Sequence, residues 1–385
     1  MWNTPPMHAW IPIAFLPICP KRVNKIPRCS VESQEIHALQ TVHDVLAHLL
    51  KPLSDVKCQT GYEMVCADGN VRLCYPKLFC WLADHMENAM IHCMSGHCCP
   101  VCTTPTEELG EYLVTSYSIR SHKDYARAYR QSDAVGLNAH GIKNVHNALW
   151  SIPVLNPLDL VRADILHNIL LWMLHHLLSW TQGFLEQHNR INTFNYVWHR
   201  LLQYPGFSVP SKAYQMTSQW SGKEMRNFSK IILGTFTAAI RRSAHQPRPT
   251  EGQLHDFNKA IRCVRNISDS YLMTQYTSHT DQSVSYMQKY LQGFHETKDV
   301  FLRFRADKKI KRAAAVAHKS LLNEQTQESV QGLTVSEKAE GRQDNTLKRR
   351  DLVDEILREG AHYNFLKIHL ISHYTEQIPK FGSLP

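Results

Sequence analysis

Apolar residues recur every three or four positions along most of the chain, a spacing that predicts a mostly helical protein. The pattern covers residues 30–56, and beyond residue 155 it covers 192–203, 221–241, 252–277 and 280–304. The first half also predicts a helix over about 76–89, and a hairpin whose turn is Ala67-Asp68-Gly69-Asn70 between two β-prone runs. AWIPIAFLPI, residues 9–18, reads as an edge strand because its prolines cannot donate to a sheet ladder.

The longest apolar run lies in VRADILHNILLWMLHHLLSW, Val161–Trp180. It is too short for the roughly 18–20 apolar residues of a membrane helix and carries two histidines, so a buried helix is expected and no membrane contact. Adjacent residues of a helix point in different directions. We therefore expect one of His175 and His176 to pack on the core and the other to lie at the surface. Asp164 at the start of the run would either cap the helix or bind a divalent cation together with His167.

Cysteines are concentrated early: of eleven, only Cys263 follows residue 102. Because the amino-terminal residues do not resemble a signal peptide, this clustering favours metal binding or reduced thiols over disulfides. In HCMSGHCCPVC, Cys99 and Cys102 have the C-x2-C spacing that lets two thiolates bind one tetrahedral zinc ion. Cys93 and His122 are the further candidate ligands of a structural zinc site; the alternative is a loop of free thiols.

The net charge of +9 is compatible with nucleic-acid binding. A basic cluster at Lys308, Lys309, Lys311 and Arg312 could contact DNA phosphates or could be an ordinary solvated surface. It opens a charged, Gln/Ser-rich stretch that is expected to be a partly disordered linker. Ser221, with Glu224 three residues later, predicts a capping box at the start of a helix.

Several of these segments, in this order, resemble the Plavaka-type transposases of fungi, members of the Kyakuja–Dileera–Zisupton group of DNA transposases. The resemblance runs from about Ala9 to Pro385, and its most specific pieces are QWSGKEMRN and the closing HLISH block. It implies cut-and-paste transposition by an RNase H-like core, in which acidic residues hold two metal ions for phosphodiester cleavage and strand transfer. It also implies DNA as the partner and a nuclear location, with the cytoplasm as the alternative; an oligomer is compatible with the sequence.

By position, Asp164 resembles the second metal-binding aspartate of the family, and His167 is its companion. The family's first aspartate would precede Ala9, and its glutamate would follow FGSLP, so both lack a counterpart. The sequence therefore predicts a chain truncated at both ends and catalytically inactive, with Mg²⁺ or Mn²⁺ bound only if it is competent. There are two alternatives. One is an active transposase completed by a partner chain. The other is a host-adopted helical module that binds DNA or protein and contains a structural zinc site.

The expected fold class is α+β and mostly helical, an incomplete RNase H-like core with a zinc-knuckle insertion and a large helical region. Five segments are expected along the chain: a strand remnant of the core (1–28), the Cys/His-rich insertion with its zinc knuckle (29–150), a helical domain that begins with the Asp164 helix (151–305), the basic and polar linker (306–355), and a terminal core segment (356–385).

Overall fold

Helices dominate the computed structural model, which describes residues 14, 31–112, 117–153, 155–162, 164–208, 220–241, 248–304 and 362–382. The predicted mostly helical character is therefore confirmed for the described part of the chain. Apart from Ala14, the predicted edge strand at 9–18 lies outside the described residues, and so does the linker 306–355 with Lys308, Lys309, Lys311 and Arg312. The chain divides into two units, Met1–Thr103 with Tyr117–Arg162, and Thr104–Ser116 with Ala163–Pro385.

The first unit combines the 19-residue helix α1 with shorter helices, and its buried apolar residues form small clusters. Helix α1 contributes Val42 and Leu46, which are buried together with Ile91 and Leu149. Its described helices are α1 (Val31–Leu49), α2 (Lys57–Thr60), α3 (His85–Ile91), α4 (His122–Arg130) and α5 (Ala134–Ala139), with single 3-10 turns at Lys51–Ser54, Ala148–Ser151 and Pro157–Leu160.

The predicted hairpin is confirmed. Strands β1 (Tyr62–Val65) and β2 (Val71–Cys74) pair antiparallel, and Gly69 in the turn has a φ of 79° that favours glycine. The helix predicted over about 76–89 begins later, at His85, because the Asp84 side chain accepts a hydrogen bond from the backbone N–H of Glu87 and caps the helix there. Residues 75–83, immediately before Asp84, are not helical.

The second unit is a larger helical assembly with one extended core. Aromatic residues such as Trp180, Phe228 and Phe301 are buried in it together with Ile368. Its described helices are a π-helix (Ile165–Met173), α6 (Leu174–Gln187), α7 (Ile191–Trp198), α8 (Gly222–Arg241), α9 (Glu251–Thr274), α10 (Asp281–Thr297), α11 (Leu366–Leu370) and α12 (Tyr374–Phe381), with 3-10 turns at Thr106–Glu108, Lys298–Phe304 and Ile371–His373.

The apolar run that begins at Ile165 is a buried helix, as predicted. His176 packs its ring against Trp172 and Phe365, with ring centroids 4.2 Å and 5.5 Å apart, whereas His175 is exposed. Within the described residues, no helix has the length and apolar character needed to cross a membrane. The capping box at the start of α8 is also present, since Ser221 Oγ accepts from the N–H of Glu224 and the Glu224 carboxylate accepts from the N–H of Ser221.

Histidine burial predicts a pH dependence of the first unit. Burial, and next the neighbouring His43, lowers the pKa of His92 to about 4, and its Nε2 has no hydrogen-bond partner among the described residues. In the unfolded chain the imidazole of His92 is therefore protonated below about pH 6.5, whereas in the folded chain it stays neutral until the pH falls to about 4. Stability contributed by neutral His92 is complete above pH 6.5 and is lost as the pH falls toward 4, by about 2 kcal/mol at pH 5.

The measurement is the free energy of unfolding in urea at pH 7.5 and pH 5 for the native chain and for His92→Gln. We expect the difference between the two pH values to shrink in the variant. An equal pH dependence in both proteins would show that His92 does not contribute.

Candidate metal centre

The C-x2-C pair lies in a tight loop that a neighbouring segment holds in place. Cys102 forms an isolated antiparallel bridge with Ile119, and the N–H groups of Thr103 and Arg120 donate to the carbonyls of Ser118 and Val101, both at 3.0 Å. Cys99 and Cys102 are both buried. The Val101 N–H donates to Cys99 Sγ at 3.4 Å, a contact that stabilises negative charge on the sulfur.

Arg120 organises the backbone of this loop from inside. Its Nε donates to the carbonyl oxygens of Cys99 and Cys102 at 2.6 Å and 2.9 Å, and its Nη1 donates to Tyr125 Oη and to the His140 carbonyl. The side chain is buried, with only 6% of the residue exposed. A planar guanidinium with several fixed donors suits such a set of oxygens better than a lysine would.

Two histidines are presented by the last helical segment of the chain. His369 lies in α11 and His373 ends the following 3-10 turn, so one helical turn separates them. Their Nε2 atoms are 3.2 Å apart, and both residues are buried. The Nδ1 of His373 lies 3.2 Å from the Glu376 carboxylate. A carboxylate at the second nitrogen of a metal-binding histidine orients the ring and leaves Nε2 for the metal.

Cys99, Cys102, His369 and His373 form a buried group that could hold a metal ion, because one ligand atom from each lies within 4.8 Å of the others. The donor set of two sulfurs and two imidazole nitrogens suits zinc. Tetrahedral Zn²⁺, with Zn–S of about 2.3 Å and Zn–N of about 2.0–2.1 Å, places its ligand atoms roughly 3.3–3.8 Å apart. The residues therefore fit this metal in number and chemistry, and their ligand atoms lie close enough together to share one ion.

Electrostatics at the cysteines are consistent with a role for a cation. Burial, and next the adjacent Cys102, raises the pKa of the Cys99 thiol well above its ordinary value. Two buried thiolates side by side are unfavourable in a low-dielectric interior unless a positive charge compensates them. A divalent cation held by these residues would supply that charge and take the place of the thiol protons.

The two other zinc ligands predicted from the sequence, Cys93 and His122, are not members of this group. Cys93 is buried with its Sγ 3.0 Å from His43 Nε2, and burial raises the pKa of its thiol to about 12. His122 is the first residue of α4, and burial lowers its pKa. Of the ligands predicted from the sequence, Cys99 and Cys102 are members of this group, and its other two members, His369 and His373, were not among the predicted ligands. The H-x3-H spacing of His369 and His373 was the available signal, since zinc sites commonly use it.

Asp164 stands at the beginning of the π-helix, where it caps the segment. Its Oδ1 accepts from the backbone N–H of His167 at 3.1 Å, and its Oδ2 lies 2.6 Å from His167 Nδ1. Tyr374 Oη donates to the Asp164 carbonyl at 2.8 Å. The helix-cap alternative predicted for Asp164 is therefore present. Its carboxylate contacts His167 directly, with one oxygen at the backbone N–H and the other at the imidazole ring.

Replacing Arg120 with Gln should destabilise the first unit and weaken metal retention. The change leaves the buried carbonyls of Cys99 and Cys102 without their donor, which costs about 1–3 kcal/mol for each unsatisfied group. The checks are urea unfolding and the rate at which a chelator removes the metal. Arg127→Gln is the matched control, because that arginine pairs with Asp124 while more than half of each side chain is exposed. If the two variants have the same free energy of unfolding and lose the metal to the chelator at the same rate, Arg120 does not have this role.

Comparison of the sequence with known proteins finds a match to one family model. No curated protein and no solved structure is significantly similar to the chain. A family model described as Plavaka transposase matches residues 1–181, a range that includes Cys99, Cys102, Asp164 and His167. The match confirms the resemblance inferred from the sequence over that range: residues 1–181 of this chain are similar to the Plavaka transposase family.

Proposed function

We propose that this chain is a transposase-derived DNA-binding protein with a structural zinc site and without strand-cleavage activity of its own. The observation that carries the proposal is the buried group of Cys99, Cys102, His369 and His373, whose cysteine pair lies in the matched transposase sequence. Four protein ligands fill a tetrahedral zinc shell and leave no position for water or substrate. Such a site stabilises a fold and does not perform Lewis-acid chemistry.

The proposed inactivity is supported by the geometry around Asp164. A two-metal phosphodiester transferase needs carboxylates that converge on a pair of ions about 3.5–4 Å apart. Both oxygens of Asp164 instead face His167. Among the described residues, the Cys/His group is the one cluster found with metal-ligand spacing, and it contains no carboxylate. Asp164 then acts as a helix cap and as the partner of His167. An RNase H-like core and a nuclear location remain implications of the family.

The zinc ligand set can be tested by substitution. We expect about one zinc per chain in the purified protein, and loss of that zinc in Cys99→Ser, His369→Ala and His373→Ala, because each removes one of four ligands. Cys93→Ala and His122→Gln should keep it. Elemental analysis by mass spectrometry after exhaustive dialysis gives the stoichiometry. Zinc retained by the His369→Ala/His373→Ala double variant but lost from His122→Gln would restore the set inferred from the sequence alone.

Strand cleavage provides the test of inactivity. Supercoiled plasmid incubated with the chain and Mg²⁺ or Mn²⁺ should not be nicked above the level of a protein-free reaction. Asp164→Ala should leave that result unchanged and lower the free energy of unfolding by about 1 kcal/mol through loss of the cap. Asp159→Ala, at an exposed aspartate five positions earlier, is the control for the loss of one surface charge. Manganese-dependent nicking that Asp164→Ala abolishes and Asp159→Ala preserves would refute the proposal.

A further inference from the structure

Helix α8 presents a surface of unusual composition. Between Gly222 and Arg241 its exposed residues are Lys223, Arg226, Lys230, Gly234 and Arg241. Four of these five are cations, and none is acidic or apolar. Their spacing of three, four, four and seven residues places them along one side of the helix. We call this row the α8 cationic face.

The charges of this face are not neutralised within the described part of the chain. Lys223, Arg226, Lys230 and Arg241 form no salt bridge with a described carboxylate, although exposed cations elsewhere do, such as Arg265 with Asp269. The one acidic residue of α8, Glu224, is engaged at the helix start, where its Oε2 accepts from Ser221 N and Oγ at 2.7 Å and 2.8 Å. The amino terminus of the 20-residue helix adds further positive potential at the same end.

Gly234 lies within the face, and the fold gives no reason for a glycine there. A Cβ built at this position meets nothing within 4 Å, so alanine would fit. Glycine inside a helix is less stable than alanine. Its use at an open position among cations is explained if another molecule approaches the helix backbone closely, since glycine is the residue that permits such an approach.

We propose that the α8 cationic face binds the phosphate backbone of double-stranded DNA, with Gly234 admitting the close approach of the duplex. From Lys223 to Arg241 the face extends roughly 27 Å at 1.5 Å per residue, a length comparable to that of eight base pairs at 3.4 Å each. A membrane surface fits less well, because interfacial helices need apolar side chains to insert and this face exposes none. The proposal rests on the proposed DNA-binding function and assigns its location.

The test compares two triple variants of the full chain that remove equal charge. Lys223→Gln/Arg226→Gln/Lys230→Gln neutralises the face, and Arg262→Gln/Lys289→Gln/Lys380→Gln neutralises three exposed cations on α9, α10 and α12. Binding to a fluorescein-labelled 30-base-pair duplex is followed by anisotropy over a series of KCl concentrations. Each phosphate contact contributes about 0.9 to the slope of log K against log salt, so the face variant should lose nearly 3 from that slope and the control less than 1.

A variant with a larger, uncharged side chain at position 234 tests independently whether the duplex approaches the helix closely. Gly234→Gln removes no charge and improves helix propensity, so the protein should be at least as stable as the native chain. It should bind the duplex several-fold more weakly with an unchanged salt slope. Unchanged affinity would show that the duplex does not approach Gly234 and would overturn that part of the proposal.

The outcomes separate the location of DNA binding from DNA binding itself. A native chain without salt-dependent duplex binding would refute the proposed function and this inference together. Native binding that the two triple variants weaken equally would refute the α8 cationic face alone. Retained duplex binding by the face variant, with loss of binding to phosphatidylserine vesicles, would assign the face to a membrane surface instead.

Discussion

Burial of the segment Ile165–Gln187 is the constraint on which the second unit depends. The segment is apolar around most of its circumference, and Met173, Leu177 and Leu185 have no exposed surface. A helix of this kind must be surrounded by other elements, because each buried leucine-sized side chain contributes about 1.5–3 kcal/mol only when it leaves water. Side chains from α8, α9 and the last segment of the chain pack with it in one core.

That constraint also determines what Asp164 can do. A buried helix cannot leave its first N–H groups without acceptors, since water does not reach them all. Asp164 supplies an acceptor to the His167 N–H, and its second oxygen faces the His167 ring. An aspartate at this position is explained by helix formation alone. A metal-binding role would have to compete with the contacts that begin the helix, which is why the geometry favours a structural assignment.

The sequence predicted the parts of the molecule that depend on local pattern. Helix positions followed from apolar spacing, the hairpin from Asp68-Gly69, and the α8 capping box from Ser221 and Glu224. The errors arose where a local contact outweighed periodicity, as when the Asp84 cap delayed the start of α3 to His85. The Cys/His group was half predictable: Cys99 and Cys102 are three residues apart, whereas His369 and His373 follow about 270 residues later. Nothing in the spacing of the cysteines indicates so distant a partner, and nearer candidates such as His122 suit a compact knuckle equally well.

The proposed zinc site and the α8 cationic face place their charges in opposite environments. A group of two cysteines and two histidines costs free energy when buried without a cation, so a bound metal would convert an unfavourable set of polar side chains into a stabilising one. The α8 cationic face has the opposite arrangement, because its charges stay in water and contribute nothing to folding on their own. Cations of one sign along a single helix repel each other and lower its stability slightly. The proposed binding of a polyanion with regular charge spacing accounts both for these cations and for the glycine beside them, which also weakens the helix.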